Sequence, residues 1–126
     1  MKTREWLVVF FVCLSAVMIS GCDKLLGPDP DEISPSDGLY IFELEYVRFQ
    51  YDPGNDLMTV TNLTSVRSKI WIVRYDDRAD ERKGVRFTLE GFNSHKAYHE
   101  QFPRGTVIWV DVGRDGVHTT GCIEFR

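Results

Sequence analysis

Apolar and polar residues alternate along most of the chain from residue 38 onward, and this alternation predicts β-strands. Val85, Phe87 and Leu89 alternate with charged or polar side chains. Residues 117–125 alternate in the same way, with Cys122 on the face opposite Ile123. Successive side chains of a strand point to opposite faces, so each pattern indicates one face on a core and one face in water. No segment here has a sustained helical period of apolar residues, and we therefore expect an all-β domain.

Six strands and the turns between them follow from this pattern. The predicted strands span residues 39–51, 57–63, 69–75, 85–89, 106–112 and 117–125, with a candidate seventh between residues 94 and 102. The first changes phase after Tyr46, which indicates a bulge or bend there. Residues 52–56 and the Asp115-Gly116 pair have the composition of tight turns. Short strands at this spacing are typical of a sandwich or a small barrel, and we expect an antiparallel β-sandwich of about six or seven strands.

Two stretches of the domain carry a resemblance to a known fold. Residues 60–64 (VTNLT) are followed by a strand, and residues 103–106 (PRGT) then open the strand that contains Val107. This order resembles the small immunoglobulin-like sandwich modules of bacterial surface proteins. The resemblance covers about 60 residues. It implies a fold class and carries no functional site.

The first 21 residues have the profile of a signal peptide. Lys2 and Arg4 precede a 13-residue segment, residues 7–19, in which only Ser15 is not apolar. A helix that spans a bilayer needs roughly 20 apolar residues, so this segment is short for a permanent anchor. We expect residues 1–21 to be removed.

Ile19-Ser20-Gly21-Cys22 resembles the lipobox of bacterial lipoproteins, in which an aliphatic residue and two small residues precede a cysteine. The resemblance covers residues 1–22. It implies cleavage before Cys22, a diacylglyceryl group in thioether linkage to the sulfur, and usually acylation of the new amino terminus. Two or three acyl chains, at about 0.8 kcal/mol per buried methylene, anchor a protein firmly. An ordinary secretory signal that happens to adjoin a cysteine is the alternative.

Asp23 follows the cysteine directly. In lipoproteins of enteric-type bacteria, an aspartate at this position resembles the signal for retention at the inner membrane. The expected location is therefore the cell envelope, on the periplasmic face of the inner membrane, with the outer membrane as the alternative. The covalent lipid on Cys22 is the only prosthetic group that the sequence implies.

Residues 22–37 are predicted to be a disordered tether between the lipid and a domain that spans residues 38–126. The segment holds Pro28, Pro30 and Pro35 and few large apolar side chains, a composition that favours extended chain. Its 15 residues after the cysteine reach at most about 50 Å. A spacer role is expected.

The charge balance argues against nucleic-acid binding. Removing Lys2, Arg4 and Glu5 from the 15 basic and 19 acidic residues leaves 13 and 18. Residues 23–37 hold five of those acidic residues and one basic residue, so residues 38–126 carry a net charge of only −1. A near-neutral domain without a basic stripe lacks the electrostatic footprint of a polyphosphate-binding protein.

The patterns that could bind a metal ion are weak. His95 and His99 are four apart, a spacing that would bring two imidazoles together only on a helix; on a strand they would lie about 13 Å apart. Residues 111–116 partly match a calcium-binding loop, but Gly113 and Cys122 stand where ligands are needed. The acidic residues of segment 76–84 are mixed with Arg78, Arg82 and Lys83, which favours a solvated charged loop. We predict no metal site.

No catalytic residue is assigned from the sequence. The common hydrolase, zinc-protease and nucleotide-binding motifs are missing from the 126 residues, which makes an enzyme unlikely on sequence grounds. After processing, Cys122 is the only cysteine left besides the lipidated one, in a compartment that oxidises thiols. It is either a small apolar residue of a covered face or a thiol that pairs with another chain.

Taken together, these patterns predict a membrane-anchored, non-enzymatic lipoprotein whose domain binds another protein of the cell envelope. Loops or an exposed strand edge would make the contact, and exposed aromatic side chains would anchor it. The alternatives are a docking subunit of a secretion- or conjugation-type assembly and an envelope enzyme that uses Cys122 or a histidine site. The aromatic candidates are Tyr40, Trp71, Tyr75, Tyr98 and Trp109.

Overall fold

The computed structural model describes residues 29–126, which form nine strands in two sheets. The strands are β1 (Asp31–Ile33), β2 (Tyr40–Leu44), β3 (Val47–Asp52), β4 (Leu57–Asn62), β5 (Ser68–Arg74), β6 (Val85–Leu89), β7 (His95–His99), β8 (Val107–Arg114) and β9 (Val117–Phe125). A short 3₁₀ turn, Tyr75–Asp77, follows β5. The fold is therefore all-β, as the alternation predicts. The predicted signal peptide, Cys22 and Asp23 lie outside the described residues.

The two sheets have the strand orders β1-β9-β8-β5-β6 and β2-β3-β4-β7. All pairs are antiparallel except β1 with β9, which run parallel. The chain crosses from one sheet to the other between β1 and β2, between β4 and β5, between β6 and β7, and between β7 and β8. In one sheet β8 lies between β5 and β9, and in the other β4 pairs with β7, as in immunoglobulin-type sandwiches.

The number of strands exceeds the predicted six or seven for two reasons. The segment 39–51 reverses direction at Glu45 and Tyr46, so the predicted bulge near Tyr46 is in fact a two-residue hairpin turn with Leu44 opposite Val47. Both turn residues have positive φ, 49° and 62°, as the central residues of a two-residue type I′ hairpin turn require. The predicted seventh strand is confirmed as β7.

The second reason lies in the predicted tether. Residues 31–33 pair with the end of β9, Asp31 opposite Ile123 and Ile33 opposite Phe125. The disordered tether predicted for residues 22–37 therefore does not extend through β1. Backbone pairing with an edge strand is a tertiary interaction, and it orders three residues whose composition alone would not form a strand.

The core lies between the two sheets and ends in an aromatic cluster. The ring of Phe125 lies 4.9 Å from Tyr40, 5.4 Å from Tyr51 and 5.5 Å from Phe102 between centroids, and all four side chains are buried. The Tyr51 hydroxyl accepts a hydrogen bond from the backbone N–H of Phe102 at 2.8 Å. Burial raises the pKa of Tyr51 above its ordinary value. These contacts join β2, β3 and β9 to the segment before β8.

In residues 29–126, no helix is long and apolar enough to cross a membrane.

Candidate functional site

The two histidines considered as metal ligands, His95 and His99, lie on strand β7 and not on a helix. His95 and His99 are its first and last residues, and both are exposed. The ring of His99 lies 3.3 Å from the carbonyl oxygen of Asn55. Within the described part of the chain, no group of three or more His, Cys, Asp or Glu side chains is placed to hold a metal ion.

Two acidic residues of the charged loop, residues 76–84, form ion pairs with cations of the same loop. Asp80 accepts hydrogen bonds from the side chain and the backbone N–H of Arg82, and these hold its pKa below the ordinary value. Asp77 lies 3.4 Å from the ammonium of Lys83. The loop is therefore a network of local ion pairs in solvent.

Cys122 lies on the face of β9 that the alternation predicts, yet it is only 4% exposed. It stands opposite Trp109 of β8. The outward face at this point is covered, because the chain folds back over β8 at Tyr75–Asp77 and brings Arg78 close enough to act on the thiol electrostatically. Burial raises the pKa of Cys122, which disfavours the thiolate needed for attack or disulfide exchange. Its burial favours the first of the two predicted roles, a small apolar residue of a covered face.

We expect the Cys122 thiol to be unreactive in the folded protein. In a Cys13→Ser/Cys22→Ser chain, which keeps Cys122 as its single thiol, an aromatic disulfide reagent at pH 8 should release almost no chromophore until guanidinium is added. A Ser34→Cys substitution in the same background supplies an exposed control thiol. Equal rates for the two thiols in the folded state would show that Cys122 is accessible.

The outer face of the five-stranded sheet, the face directed away from the core, carries a row of aromatic rings covered by arginines. On β5, Trp71 is 9% exposed, and the guanidinium of Arg86 on β6 lies 4.2 Å from its ring centroid. The indole N–H of Trp71 donates to the carbonyl of Lys83 at 2.8 Å. Gly84 allows this approach, since a Cβ there would lie 2.4 Å from the carbonyl oxygen of Ile72.

A second arginine continues the row on the other side of β5. The guanidinium of Arg78 lies 3.7 Å from the ring centroid of Tyr75 and 5.8 Å from that of Trp109. The two rings are 6.2 Å apart, and both side chains are half-buried. Guanidinium stacking on an aromatic face is favourable, and the Arg78 Nη1 also donates a hydrogen bond to the carbonyl oxygen of Tyr75 at 2.9 Å.

An aspartate–histidine pair lies beside Trp71 on the same face. Asp111 of β8 and His118 of β9 are diagonal neighbours across the hairpin, with 3.1 Å between the Asp111 Oδ1 and the His118 Nδ1. Gly113 lies beneath the imidazole, and a Cβ at this glycine would come within 2.9 Å of the ring. The glycine therefore makes room for the histidine to reach the carboxylate.

Trp71, Arg86 and the Asp111–His118 pair surround an open depression of about 290 Å³ on this face. The residues that line it include two cations, an imidazole and a carboxylate, together with one indole and one hydroxyl: Lys69, Arg86, His118, Asp111, Trp71 and Thr88. Such a surface combines an aromatic floor with a polar rim, which is the composition of protein-binding patches.

Of the predicted aromatic candidates, the structure places three on this outer face and two toward the interior. Trp71, Tyr75 and Trp109 belong to the outer row. Tyr40 is a core residue, and Tyr98 packs on Phe87 with burial raising its pKa. The roles of Arg78 and Arg86 were missed, because their stacking depends on which strands are neighbours.

Comparisons of the chain with models of protein families, with curated proteins and with solved structures give no match.

Proposed function

We propose that the protein is a lipoprotein of the bacterial cell envelope, anchored by acyl chains on Cys22, and that its domain binds another envelope protein. The tetrapeptide Ile19-Ser20-Gly21-Cys22 behind a short apolar segment supports the anchor. Asp23 favours the inner membrane. Since β1 begins at Asp31, nine residue steps separate the anchor from the domain, a reach of about 30 Å.

The observation that supports protein binding is the row of arginines stacked on aromatic rings across the outer face. Trp, Tyr and Arg are the residue types enriched at the energetic centres of protein interfaces. Stacking of Arg86 on Trp71 holds the guanidinium in place before a partner arrives, which lowers the entropy cost of binding. The depression beside it adds Lys69 and His118 around the single carboxylate of Asp111. The surface fits a partner segment with acidic and apolar side chains.

A crosslinking experiment locates the contact. A photo-crosslinking amino acid at Thr88, exposed on the outer face of β6, is expected to give a discrete adduct in the envelope of the producing bacterium. The same amino acid at Ala97 is the matched control, because Ala97 is exposed on β7 of the other sheet. An absence of adducts at Thr88, or equal adducts at both positions, would contradict the proposed surface.

Once the partner is identified, Arg86→Ala should weaken its binding by roughly 30-fold, the effect of removing a residue worth about 2 kcal/mol at an interface centre. Arg48→Ala is the control, since Arg48 forms an exposed ion pair with Glu43 on the opposite sheet. Titration of the purified partner by calorimetry measures both. An unchanged affinity for Arg86→Ala would remove the outer face from the contact.

A further inference from the structure

Four loops meet at one end of the sandwich, which we call the apical end. It consists of residues 45–46, 63–67, 90–94 and 115–117. The strand registers place these loops at one end of each sheet: Val47 pairs with Asn62 in one sheet, and in the other Ser68 pairs with Leu89 and Lys69 with Gly113. Backbone hydrogen bonds join neighbouring loops, from Leu63 N–H to Tyr46 and from Phe92 N–H to Thr64.

The apical end exposes large apolar side chains on each of its loops. In the described residues five large apolar side chains are exposed, and four of them are apical: Phe92 at 84%, Val117 at 68%, Tyr46 at 67% and Val66 at 42%. The fifth, Ile41, lies on β2. Scattered exposed apolar residues need no explanation, but four at the tips of four adjoining loops indicate a contact surface.

A buried asparagine holds two of these loops in place. The side-chain amide of Asn62 donates to the carbonyls of Val66 and Glu90, at 2.7 and 3.0 Å. Its Oδ1 accepts from the backbone and the hydroxyl of Thr64, and its own N–H donates to Ser94. The apolar tips are therefore presented by a fixed framework, not by a loose loop.

Two of the exposed tips adopt a backbone conformation that bulky residues rarely adopt. Tyr46 has φ 62° and Phe92 has φ 61°. A bulky residue adopts this conformation only at an energetic cost, and such residues concentrate at binding and functional sites.

The direction of β1 points the tether toward the apical end. β1 runs parallel to β9, whose first residue, Val117, is apical, so the chain enters β1 from the apical side. Asp31 is level with Ile123, six residues or about 20 Å from the apical tip of β9. The nine steps from Cys22 to Asp31 span up to about 30 Å, which is enough to pass that tip.

The opposite end of the sandwich has a different surface. It is formed by residues 34–39, 53–56 and 100–106 together with the charged loop, residues 76–84. None of the five exposed large apolar side chains lies there. Its exposed residues include Asp37, Asp76, Glu81 and Lys83. Among the described residues, this end therefore offers no large exposed apolar side chain to a bilayer.

We infer that the apical end docks on the lipid leaflet that holds the acyl chains of Cys22, with Phe92, Tyr46 and Val117 in the interfacial region. The inference rests on the proposed lipid anchor. It orients the sandwich with the charged loop away from the bilayer and the outer face exposed at the side, where a partner can reach it.

Because the tether keeps the domain near the bilayer, shallow insertion of the apical side chains is sufficient to orient the sandwich. Once the lipid is in the bilayer, docking is an intramolecular step at high effective concentration, so burial of a few apolar side chains is enough to set the orientation. The apical loops and the adjoining Arg114 hold three acidic and two basic residues: Glu45, Glu90, Asp115, Arg67 and Arg114. Docking is therefore expected on zwitterionic as well as anionic lipid.

The test uses the lipidated chain reconstituted into phosphatidylcholine–phosphatidylglycerol vesicles. A polarity-sensitive fluorophore is attached at Phe92→Cys, and at Asn55→Cys as the control at the opposite end. Both positions are exposed, and the chain without an added cysteine controls for labelling of Cys122. We expect a blue shift at position 92 and loss of its fluorescence with nitroxide-labelled lipids, and neither change at position 55.

A second labelled variant excludes insertion driven by the fluorophore. A label at Val117→Cys should also shift to the blue, and adding Phe92→Ser should reduce that shift. A label at position 92 that behaves like the one at position 55 would overturn the inference. If the label at position 92 is exposed to water on lipid vesicles but shielded in native envelope membranes, the apical end binds a protein, and the inference of lipid docking is wrong. The intact mass of each sample separates these outcomes from failure of the anchor, because a chain without acyl mass contradicts the proposed function itself.

Discussion

Phe125→Ala is expected to remove a large part of the stability of the domain, about 4 kcal/mol. Phe125 is fully buried, and its ring contacts Tyr40, Tyr51 and Phe102 at one end of the core. Truncating a buried Phe costs about 3 to 5 kcal/mol, from lost transfer free energy and from the cavity left behind. Small domains have only about 5 to 15 kcal/mol in total, so the melting temperature should fall by about 20 °C.

Urea unfolding of the detergent-solubilised mature chain, followed by tryptophan fluorescence, measures this loss. Phe92→Ala is the matched control, because the same atoms are removed from a side chain that is 84% exposed. The control should change the free energy of unfolding by less than about 0.5 kcal/mol. Similar losses for the two variants would mean that residue 125 does not occupy the core.

Asn62→Ala is expected to cost about 3 kcal/mol and to release the apical loops. Asn62 is fully buried, and its removal leaves the carbonyls of Val66 and Glu90 without this donor. A buried polar group that loses its partner costs about 1 to 3 kcal/mol, and this substitution affects more than one.

Hydrogen exchange separates the local effect from the global one. In Asn62→Ala, the exchange rates of the Thr64 and Phe92 amides should rise more than those of the strand amides. Thr64 loses a hydrogen-bond acceptor, and the two loops lose the side chain that holds both of them. Asn55→Ala is the control, because the Asn55 side chain bonds only within an exposed turn. If the exchange rates of loop and strand amides change by the same factor in both variants, Asn62 does not hold the loops.

The strands that alternate cleanly could be predicted from the sequence, and those that depend on tertiary contacts could not. β6 and β9 repeat with period two and lie where the pattern places them. The turn at Glu45 and Tyr46 was missed because neither residue is the Gly or Asn that normally supplies positive φ in a hairpin. β1 was missed because three residues carry no pattern of their own.

The chemistry of the outer face was only partly visible. The alternation put Cys122 on the outward side of β9 correctly, but its burial depends on the chain folding over β8 after residue 74, a contact that no local pattern encodes. The pair Asp111–His118 could have been found. The predicted two-residue turn at Asp115-Gly116 sets the register of the hairpin, and that register makes these two residues diagonal neighbours.

The proposed anchor and the proposed docking belong to one arrangement of the molecule. In the proposed arrangement the lipid holds the protein in a leaflet, the tether limits its distance to about 30 Å, and the apolar tips set its tilt. In that arrangement the outer face, with Arg86 and Trp71, is presented to other envelope proteins. A partner contact through that face gains from orientation, since fewer rotational degrees of freedom remain to be lost on binding.

The measurement that tests the central claim most directly is the intact mass of the protein isolated from bacterial membranes, wild type beside Cys22→Ala. The predicted wild-type mass is that of a chain starting at Cys22 plus two or three acyl chains, recovered in the membrane fraction, and the variant should lack this added mass. A wild-type protein without acyl mass, or a variant that retains it, would contradict lipid anchoring at Cys22.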